Sequence, residues 1–333
     1  MLALRTCAAL AALALALPAC AQSTAADKPD LAPVAVHGNV QTFEIAPVLL
    51  AASDFYPAGA TVKMGGIPNL VGAPIIRGFG EPGDADVATH AETQALRYSV
   101  KNPNLRIILN VSKGLYRIVA RRSAGIASVA DLKGKRIATI PQTSSGYFLY
   151  RMLADKGGLS FEDIEPVTLS PLSEMTKALA DRRVDAVVIW EPESENSARV
   201  LGDDLIEFGG EGVYAEHFNL NSTAEKLADP QKRASIVAFV RSIMDAAAAI
   251  QTDAAKAKTL VMARGGFTPQ EVDRSWKHHA FTADFPADML DILVAEETWL
   301  AAQDKRPARS REQLAALIDT SIYEEAKALP AAR

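Results

Sequence analysis

The sequence predicts an α/β fold built from short strands that alternate with helices. Apolar, β-rich segments and helical segments follow one another from Val34 to about Thr223. Such alternation is typical of parallel sheets whose faces are covered by helices. The 333 residues are enough for about two domains of this kind.

The composition is that of an ordinary soluble protein. Hydrophobic residues make up 49% of the chain, charged residues make up 23%, and the formal net charge is −5. This mildly acidic balance, without a basic run, gives no support for nucleic-acid binding.

The N-terminal segment predicts an export signal rather than part of the fold. Arg5 precedes the apolar run Ala8–Leu17, and small residues follow around Cys20. A positive start, a short apolar run and a small-residue cleavage point define a secretory signal, and about ten apolar residues are too few to span a bilayer. We assign residues 1–21 to the signal peptide and residues 22–33 to a linker.

Two cleavage sites compete in this signal. Ala19-Cys20-Ala21 fits the small-x-small rule, which would release a soluble protein, whereas Leu17-Pro18-Ala19-Cys20 resembles a bacterial lipobox, which would leave a lipid on Cys20. The other cysteine, Cys7, also lies in the signal. The mature domain is therefore expected to have no disulfide and no thiol nucleophile.

The elements before residue 130 are predicted in chain order. Helices are expected from Val48 and over Glu92–Val100, with a turn at Gly65-Gly66. The strands are short β-rich runs: Val34–Val40, Ala60–Lys63, Ala85–Ala88, Arg106–Val111 and Tyr116–Ala120.

The most informative stretch lies between residues 130 and 192. A strand at Ile137–Ile140 is followed by Thr143, Ser144, Ser145 and Gly146, and then by a helical run, Tyr147–Lys156. Small hydroxyl residues at a helix start leave backbone N–H groups pointing outward, and the helix dipole favours an anionic or strongly polar ligand there.

A second strand, Val184–Trp190, ends at Glu191-Pro192. Ligands of open α/β sheets bind at the carboxyl ends of strands. The two strand ends therefore predict one shared site.

Beyond Thr223 the chain is predicted to be mainly helical, because apolar residues recur at helical spacing. Thr268, with Glu271 three residues later, predicts a capping box. The predicted helices are Lys232–Gln251, Asp253–Arg264, Pro269–His278, Asp288–Ala302 and Ser310–Ile318.

Three motifs and the export signal carry a resemblance to a known family. ADLKGKRIAT, TSSGYFLYRML and VDAVVIWEP resemble the solute-binding components of bacterial ABC importers, in the nitrate, sulfonate and taurine group. That group shares its fold with thiamine-precursor binding proteins. The resemblance is clearest over residues 116–204.

The resemblance implies a two-lobed, periplasmic-binding-protein-like (type II) fold with hinge crossovers. Lobe one would comprise residues 34–115 and 215–333, and lobe two residues 116–214. Crossovers near Tyr116–Arg122 and Gly209–His217 would form the hinge. Such a protein is expected to act as a monomer in the periplasm, to close on a small-molecule solute and to dock on an ABC permease in the inner membrane, without a cofactor.

The resemblance also implies ligand-binding residues at the ends of the strands. Thr143, Ser144, Ser145 and Gly146 match the family's ligand-binding helix start, although a plain N-cap would use the same residue types. Glu191 matches the family's acidic turn residue, and the alternative is a hydrogen bond that holds the turn. Trp190 is expected to fill the core.

Four further residues are candidates for ligand contact. Glu44 follows the first strand, and Thr89 and His90 follow the strand at Ala85. His90 would donate a hydrogen bond to an acidic group. For all three the alternative is a structural role, and Tyr147 would either close over the ligand or pack on its helix.

A metal site is not expected. His278 and His279 are neighbours, and neighbours on a helix point about 100° apart, so that they rarely share one metal.

Reversible capture of a small organic molecule or anion is therefore the leading functional hypothesis. Donors at the helix start would suit an acidic group, and Glu191 and Glu44 would suit an amine. Together they predict a zwitterion, such as an amino-sulfonate or an amino acid-like compound, or a pyrimidine. A periplasmic sensor or adaptor is the first alternative. An enzyme of pyrimidine or menaquinone synthesis with the same fold is disfavoured, because the cysteine motif of the former and any nucleophile elbow are missing.

Overall fold

The strands of the chain form two separate sheets with helices packed on them. The computed structural model of the protein describes residues 30–75 and 80–331. The predicted signal peptide, Cys20 and most of the predicted linker lie outside the described residues.

The strands are β1 (Val34–Gly38), β2 (Ala60–Met64), β3 (Val87–Ala91), β4 (Leu105–Gly114), β5 (Arg117–Arg121), β6 (Arg136–Ala138), β7 (Glu165–Val167), β8 (Ala186–Val187), β9 (Leu205–Gly209), β10 (Glu216–Thr223) and β11 (His279–Ala280).

The helices are α1 (Ala46–Leu50), α2 (Ile67–Val71), α3 (Glu92–Ser99), α4 (Ser144–Met152), α5 (Ser173–Ala180), α6 (Glu193–Leu201), α7 (Ala224–Ala228), α8 (Pro230–Thr252), α9 (Ala255–Gly265), α10 (Pro269–Ser275), α11 (Met289–Gln303), α12 (Arg311–Ala315) and α13 (Ser321–Ala328). A π-helical turn extends α1 to Phe55, and another extends α4 to Gly157.

The first sheet has the strand order β11-β4-β10-β3-β1-β2, and the second has the order β7-β6-β8-β5-β9. The chain leaves the first sheet after β4 and returns to it at β10, so that the strands of the second sheet all lie between residues 117 and 209. The predicted α/β class is confirmed. The exact lobe boundaries remain a prediction.

Both sheets are mixed, whereas the sequence predicted parallel sheets. β1 is parallel to β2 and β3, but β10 runs antiparallel to β3 and β4. In the second sheet β6 is parallel to β7 and β8, and β5 runs antiparallel to β8 and β9. The antiparallel pairs involve β5 and β10, the strands at the two crossings, and also β11, which pairs with β4 at the edge of the first sheet.

Three strands, β9, β10 and β11, were not predicted from the sequence. β10 reads EHFNLNST and looks like a polar connection, yet all eight of its residues are buried, because it lies between β3 and β4 in the first sheet. β8 is also shorter than the predicted Val184–Trp190, and β3 begins at Val87 and includes His90.

The core of the first sheet is formed with the helices that follow β10. Phe43, Ile108 and Phe239 are fully buried in one cluster, and Leu96 and Leu293 lie in a cluster that contains residues of α3 and α11. Burying a side chain of this size stabilises the fold by roughly 1.5–3 kcal/mol. The second sheet has its own clusters around Phe148 and Met175.

The longest helix, α8, belongs to this core. Its 23 residues are long and apolar enough to cross a membrane by length and composition alone, but more than half of its apolar window is buried against the protein. Asp229 caps it by accepting hydrogen bonds from the amides of Gln231 and Lys232.

The predicted capping box of α10 is confirmed. Thr268 Oγ1 accepts a hydrogen bond from the Glu271 amide at 3.3 Å, and Glu271 Oε2 accepts one from the Thr268 amide at 2.8 Å. Two donors at the helix start are thereby satisfied.

Candidate ligand-binding site

The candidate site is a cavity of about 300 Å³, which we call the central cavity. Residues from both sheets line it, among them Glu44 from the loop after β1, His90 from β3, Ser144 from α4 and Glu216 from β10. The ends of several strands and the starts of two helices therefore converge here, as is usual at ligand sites of α/β sheets.

Two helix starts, one from each sheet, meet at this cavity. Thr93 and Gln94 belong to the first turn of α3, and Ser144 begins α4. The Thr93 and Ser144 hydroxyl oxygens are 3.1 Å apart, and Gln94 Nε2 donates to the Gln142 carbonyl at 3.1 Å. Because helix dipoles are positive at this end, both helices favour a polar or anionic group in the cavity.

The start of α4 carries no side-chain cap. Thr143 stands at the N-cap position, but its hydroxyl donates to the Ile140 carbonyl at 2.7 Å and lies 2.9 Å from the Ser145 hydroxyl. A plain N-cap would accept a hydrogen bond from an amide in the first turn. The geometry therefore leaves the first-turn amides of α4 without the partner that an N-cap supplies.

Glu216 is a buried carboxyl in the wall of the cavity. Burial raises its pKa well above the usual range, and the nearby carboxyls of Glu44 and Glu92 add to the effect. The Tyr116 hydroxyl donates to Glu216 Oε2 at 2.5 Å. A neutral Glu216 carboxyl is able both to donate and to accept a hydrogen bond.

Glu44 lies in the same wall but is held as an ion. Burial alone would raise its pKa, but His279, whose Nε2 lies 3.4 Å from Glu44 Oε1, brings the pKa below its usual value. The second oxygen, Oε2, is buried and has no hydrogen-bond partner among the described residues. Glu44 therefore has acceptor capacity left for a ligand.

Aromatic rings form another part of the wall of the cavity. His90 stacks on Tyr98 with ring centroids 6.1 Å apart, and desolvation lowers the pKa of His90 to about 4. His90 is thus neutral at pH 7, and its Nδ1 accepts from the Ile67 amide at 3.4 Å. Trp190 and Phe218 also line the cavity.

Of the residues predicted for ligand contact, Glu44, His90, Thr143 and Ser144 line the central cavity. Thr89 is fully buried inside the first sheet.

The next three predicted residues, Ser145, Gly146 and Tyr147, lie elsewhere on α4. Ser145 is buried beside Thr143, and a Cβ on Gly146 would lie 3.0 Å from the Ile140 carbonyl oxygen. Tyr147 packs on Trp299 at 5.2 Å between ring centroids.

Glu191 contacts Arg117 instead of lining the central cavity. Arg117 Nη1 donates to Glu191 Oε1, Nη2 donates to Glu195 at 2.9 Å and Nε donates to Glu207 at 2.5 Å. Burial raises the pKa of Glu191, and the Arg117 guanidinium opposes that rise. In this geometry Glu191 holds the turn after β8 against β5.

Several lining residues were missed from the sequence. Thr93 and Glu216 were not candidates, and Trp190, which packs against the core of the second sheet as predicted, lines the cavity as well. The signal for Glu216 is the period-two alternation that places Glu216 and Phe218 on one face of β10. Among the described residues, no group of three or more His, Cys, Asp or Glu side chains is arranged to hold a metal ion.

Two sheets that contribute helix starts to a shared cavity are typical of the periplasmic-binding-protein-like fold. Residues 80–257 match the family described as NMT1/THI5 like. The chain therefore belongs to the NMT1/THI5-like family.

Two curated relatives match over shorter segments. A candidate binding protein of Brucella abortus (strain 2308) is 37% identical over 76 residues, which are 23% of each chain. A candidate aliphatic sulfonates-binding protein of Escherichia coli (strain K12) is 36% identical over 106 residues, 32% of this chain and 30% of that protein. The matched segments thus span less than a third of either relative.

Solved structures show the same fold at low identity. The alkanesulfonate-binding protein from Xanthomonas axonopodis pv. citri, bound to MOPS, has a TM-score of 0.63 and 21% identity, with 87% of this chain and 99% of that chain covered. The periplasmic nitrate-binding protein from Synechocystis PCC 6803 has a TM-score of 0.65 and 13% identity, with 90% and 89% covered. These similarities confirm the predicted two-lobed, periplasmic-binding-protein-like fold.

A desulfurization enzyme shares the fold as well, with a TM-score of 0.59 and 13% identity, over 89% of this chain and 99% of that chain. The fold by itself is therefore compatible with both binding and catalysis.

Proposed function

We propose that the protein is a periplasmic solute-binding protein that captures a small polar or anionic organic solute and delivers it to an ABC importer. One observation carries the proposal: helix starts from both sheets face one cavity, and the first turn of α4 has no side-chain cap. The family membership and the binding proteins among the relatives support it.

The proposed solute is a small molecule of the sulfonate, taurine, nitrate or pyrimidine type. The uncapped amides of α4 would bind its acidic or polar group, and Glu44 and Glu216 would bind a donor group such as an amine. The cavity of about 300 Å³ limits the solute to a compact molecule. Glu44, His90, Thr143 and Ser144 are the proposed contacts among the predicted residues.

The proposal includes a non-enzymatic, monomeric protein that reaches the periplasm by its signal peptide, with Cys20 as a possible lipid attachment site. The chain's cysteines, Cys7 and Cys20, both lie in that signal, so the mature domain would have no thiol nucleophile.

Native mass spectrometry of protein purified from its host's periplasm tests the proposal. We expect a co-purified small molecule, and stabilisation by a member of a sulfonate, taurine, nitrate and aminopyrimidine panel. A ligand at 100 times its Kd raises the free energy of unfolding by about 2.7 kcal/mol. An empty protein that none of the panel stabilises would contradict the proposal.

A matched pair of variants locates the binding site. Ser144→Leu places a bulky side chain in the central cavity and should abolish the thermal shift. Thr259→Val, on an exposed face of α9, should leave the shift unchanged.

A further inference from the structure

A second and larger cavity, of about 900 Å³, lies next to the two crossings between the sheets, and we call it the hinge cavity. Tyr116 and Tyr214 from the crossings line it, together with Tyr147 from α4 and Glu296 from α11. Tyr116 also lines the central cavity. The two cavities are therefore neighbours with one aromatic residue in common.

Glu296 is the least expected group in the wall of the hinge cavity. Its side chain is fully buried, and apart from the adjacent Glu92 carboxyl neither of its oxygens has a hydrogen-bond partner among the described residues. Burial, and then Glu92, raise the pKa of Glu296 well above its usual value. The two carboxyls therefore lie against each other, and neither forms an ion pair with a cation among the described residues.

The charged groups around this pair do not neutralise it. The Arg151 charge opposes the rise in the pKa of Glu296, but Arg151 Nη2 donates to Asp155 at 2.7 Å and its Nη1 lies 3.4 Å from the Tyr147 hydroxyl. Glu216, on β10, is a third buried carboxyl near the pair, and its charge also raises the pKa of Glu296. Glu211 and Asp288, also in the lining, have no ion pair among the described residues, so the hinge cavity is acidic.

Aromatic rings stand beside the acidic pair. The ring centroids of Tyr147 and Tyr214 are 5.4 Å apart, and those of Tyr116 and Tyr214 are 6.0 Å apart. The Tyr214 hydroxyl donates to Glu92, which fixes that ring next to the pair. Tyrosine rings next to a buried carboxyl form an arrangement that attracts an ammonium group, through the ring faces and the carboxylate together.

We propose that the hinge cavity is a second binding site, which takes an organic molecule with a protonated amine and an apolar body. The ammonium group would donate a hydrogen bond to Glu296. The proton that lies between Glu296 and Glu92 would be displaced and would pass to solvent. The apolar body would lie against Tyr147 and Tyr214. This site does not depend on the function proposed for the central cavity.

Isothermal titration calorimetry of the mature protein tests the proposal with phenethylamine and with 3-phenylpropionate, which have a similar skeleton and opposite charge. We expect phenethylamine to bind with a stoichiometry of one and to release about one proton, measured by repeating the titration in two buffers of different ionisation enthalpy. 3-Phenylpropionate should not bind. Equal binding of both, or no binding of the amine at millimolar concentration, would overturn the proposal.

Three variants assign the binding to the hinge cavity. Glu296→Gln keeps the shape but cannot become a carboxylate, and should weaken phenethylamine binding by about tenfold or more. Asp291→Asn removes an exposed charge at the rim that pairs with Arg311 at 2.6 Å, and should change the Kd by less than about twofold. Glu44→Gln alters the central cavity, and comparing its effect on amine binding with that of Glu296→Gln separates the two cavities.

Loss of amine binding in Glu44→Gln but not in Glu296→Gln would place the amine in the central cavity and overturn the proposal. If Glu296→Gln does not fold, Ala295→Phe takes its place, because Ala295 is an exposed lining residue on α11. A large side chain there should block the cavity without disturbing the core, and unchanged amine binding would also overturn the proposal.

Discussion

Arg117→Gln should be among the most destabilising single changes in the second sheet. Arg117 and Glu191 are 5% and 4% exposed, and removing one partner of a buried ion pair costs about 3–5 kcal/mol, because the other charge stays buried without compensation. Glu207 is the most exposed of the three carboxylates at Arg117, with 38% of its side chain accessible. Its contact should contribute no more than about 1 kcal/mol.

Urea unfolding of three variants tests this ranking. Arg117→Gln should lower the free energy of unfolding by about 3–5 kcal/mol, Glu191→Gln by about 1–3 kcal/mol and Glu207→Gln by less than about 1 kcal/mol. The midpoints should shift while the m-values stay the same, because the surface exposed on unfolding does not change.

The same variants decide between two roles for Glu191. If Glu191→Gln retains wild-type stability but loses solute binding, Glu191 is a ligand contact and the structural argument from Arg117 is refuted. If Arg117→Gln and Glu207→Gln lower the free energy of unfolding by equally small amounts, the argument that the Arg117–Glu191 ion pair is buried is refuted as well.

Three further predictions concern stability. Burial would raise the pKa of Glu297, but hydrogen bonds from two arginines hold that pKa at about 2. A carboxyl with a lowered pKa stabilises the folded state above its unfolded pKa, here by about 3 kcal/mol, and this stabilisation is lost as the pH falls from about 4.5 towards 2. Glu297→Gln should therefore remove that part of the acid dependence of the free energy of unfolding, and an unchanged acid dependence would contradict the assignment. Thr268→Ala should cost about 1 kcal/mol by removing the cap of α10, and no change in the urea midpoint would show that the cap is dispensable. Gly146→Ala places a Cβ 3.0 Å from the Ile140 carbonyl oxygen and should cost about 1–2 kcal/mol, whereas Gly209→Ala has open space and should be neutral; equal effects would contradict the close packing of α4.

Much of the fold follows from local patterns in the sequence. The strands near Val34 and Ala60 and the long helix near Lys232 were predicted within a few residues, because apolar runs and helical spacing are strong local signals. β10 was missed because its partners β3 and β4, which satisfy the backbone groups of this polar strand, are distant in sequence.

Local patterns also indicated part of the lining of the candidate site. Thr143 and Ser144 follow a strand directly, so a local pattern was enough to place them at the cavity. The Arg117 contact of Glu191 spans 74 positions in the chain, and nothing near Glu191 in the sequence indicates it. The acidic wall formed by Glu44 and Glu216 depends on tertiary packing in the same way.

The central cavity is assembled from distant parts of the chain. Nine of its 21 described lining residues precede residue 80, where the family match begins, and Glu44 and Asn69 are among them. Substitutions in that first segment would retune the choice of solute while leaving the matched region untouched. Two proteins that share the matched region are therefore able to bind chemically different solutes, and assigning a solute by similarity requires a comparison of the loops after β1 and β2.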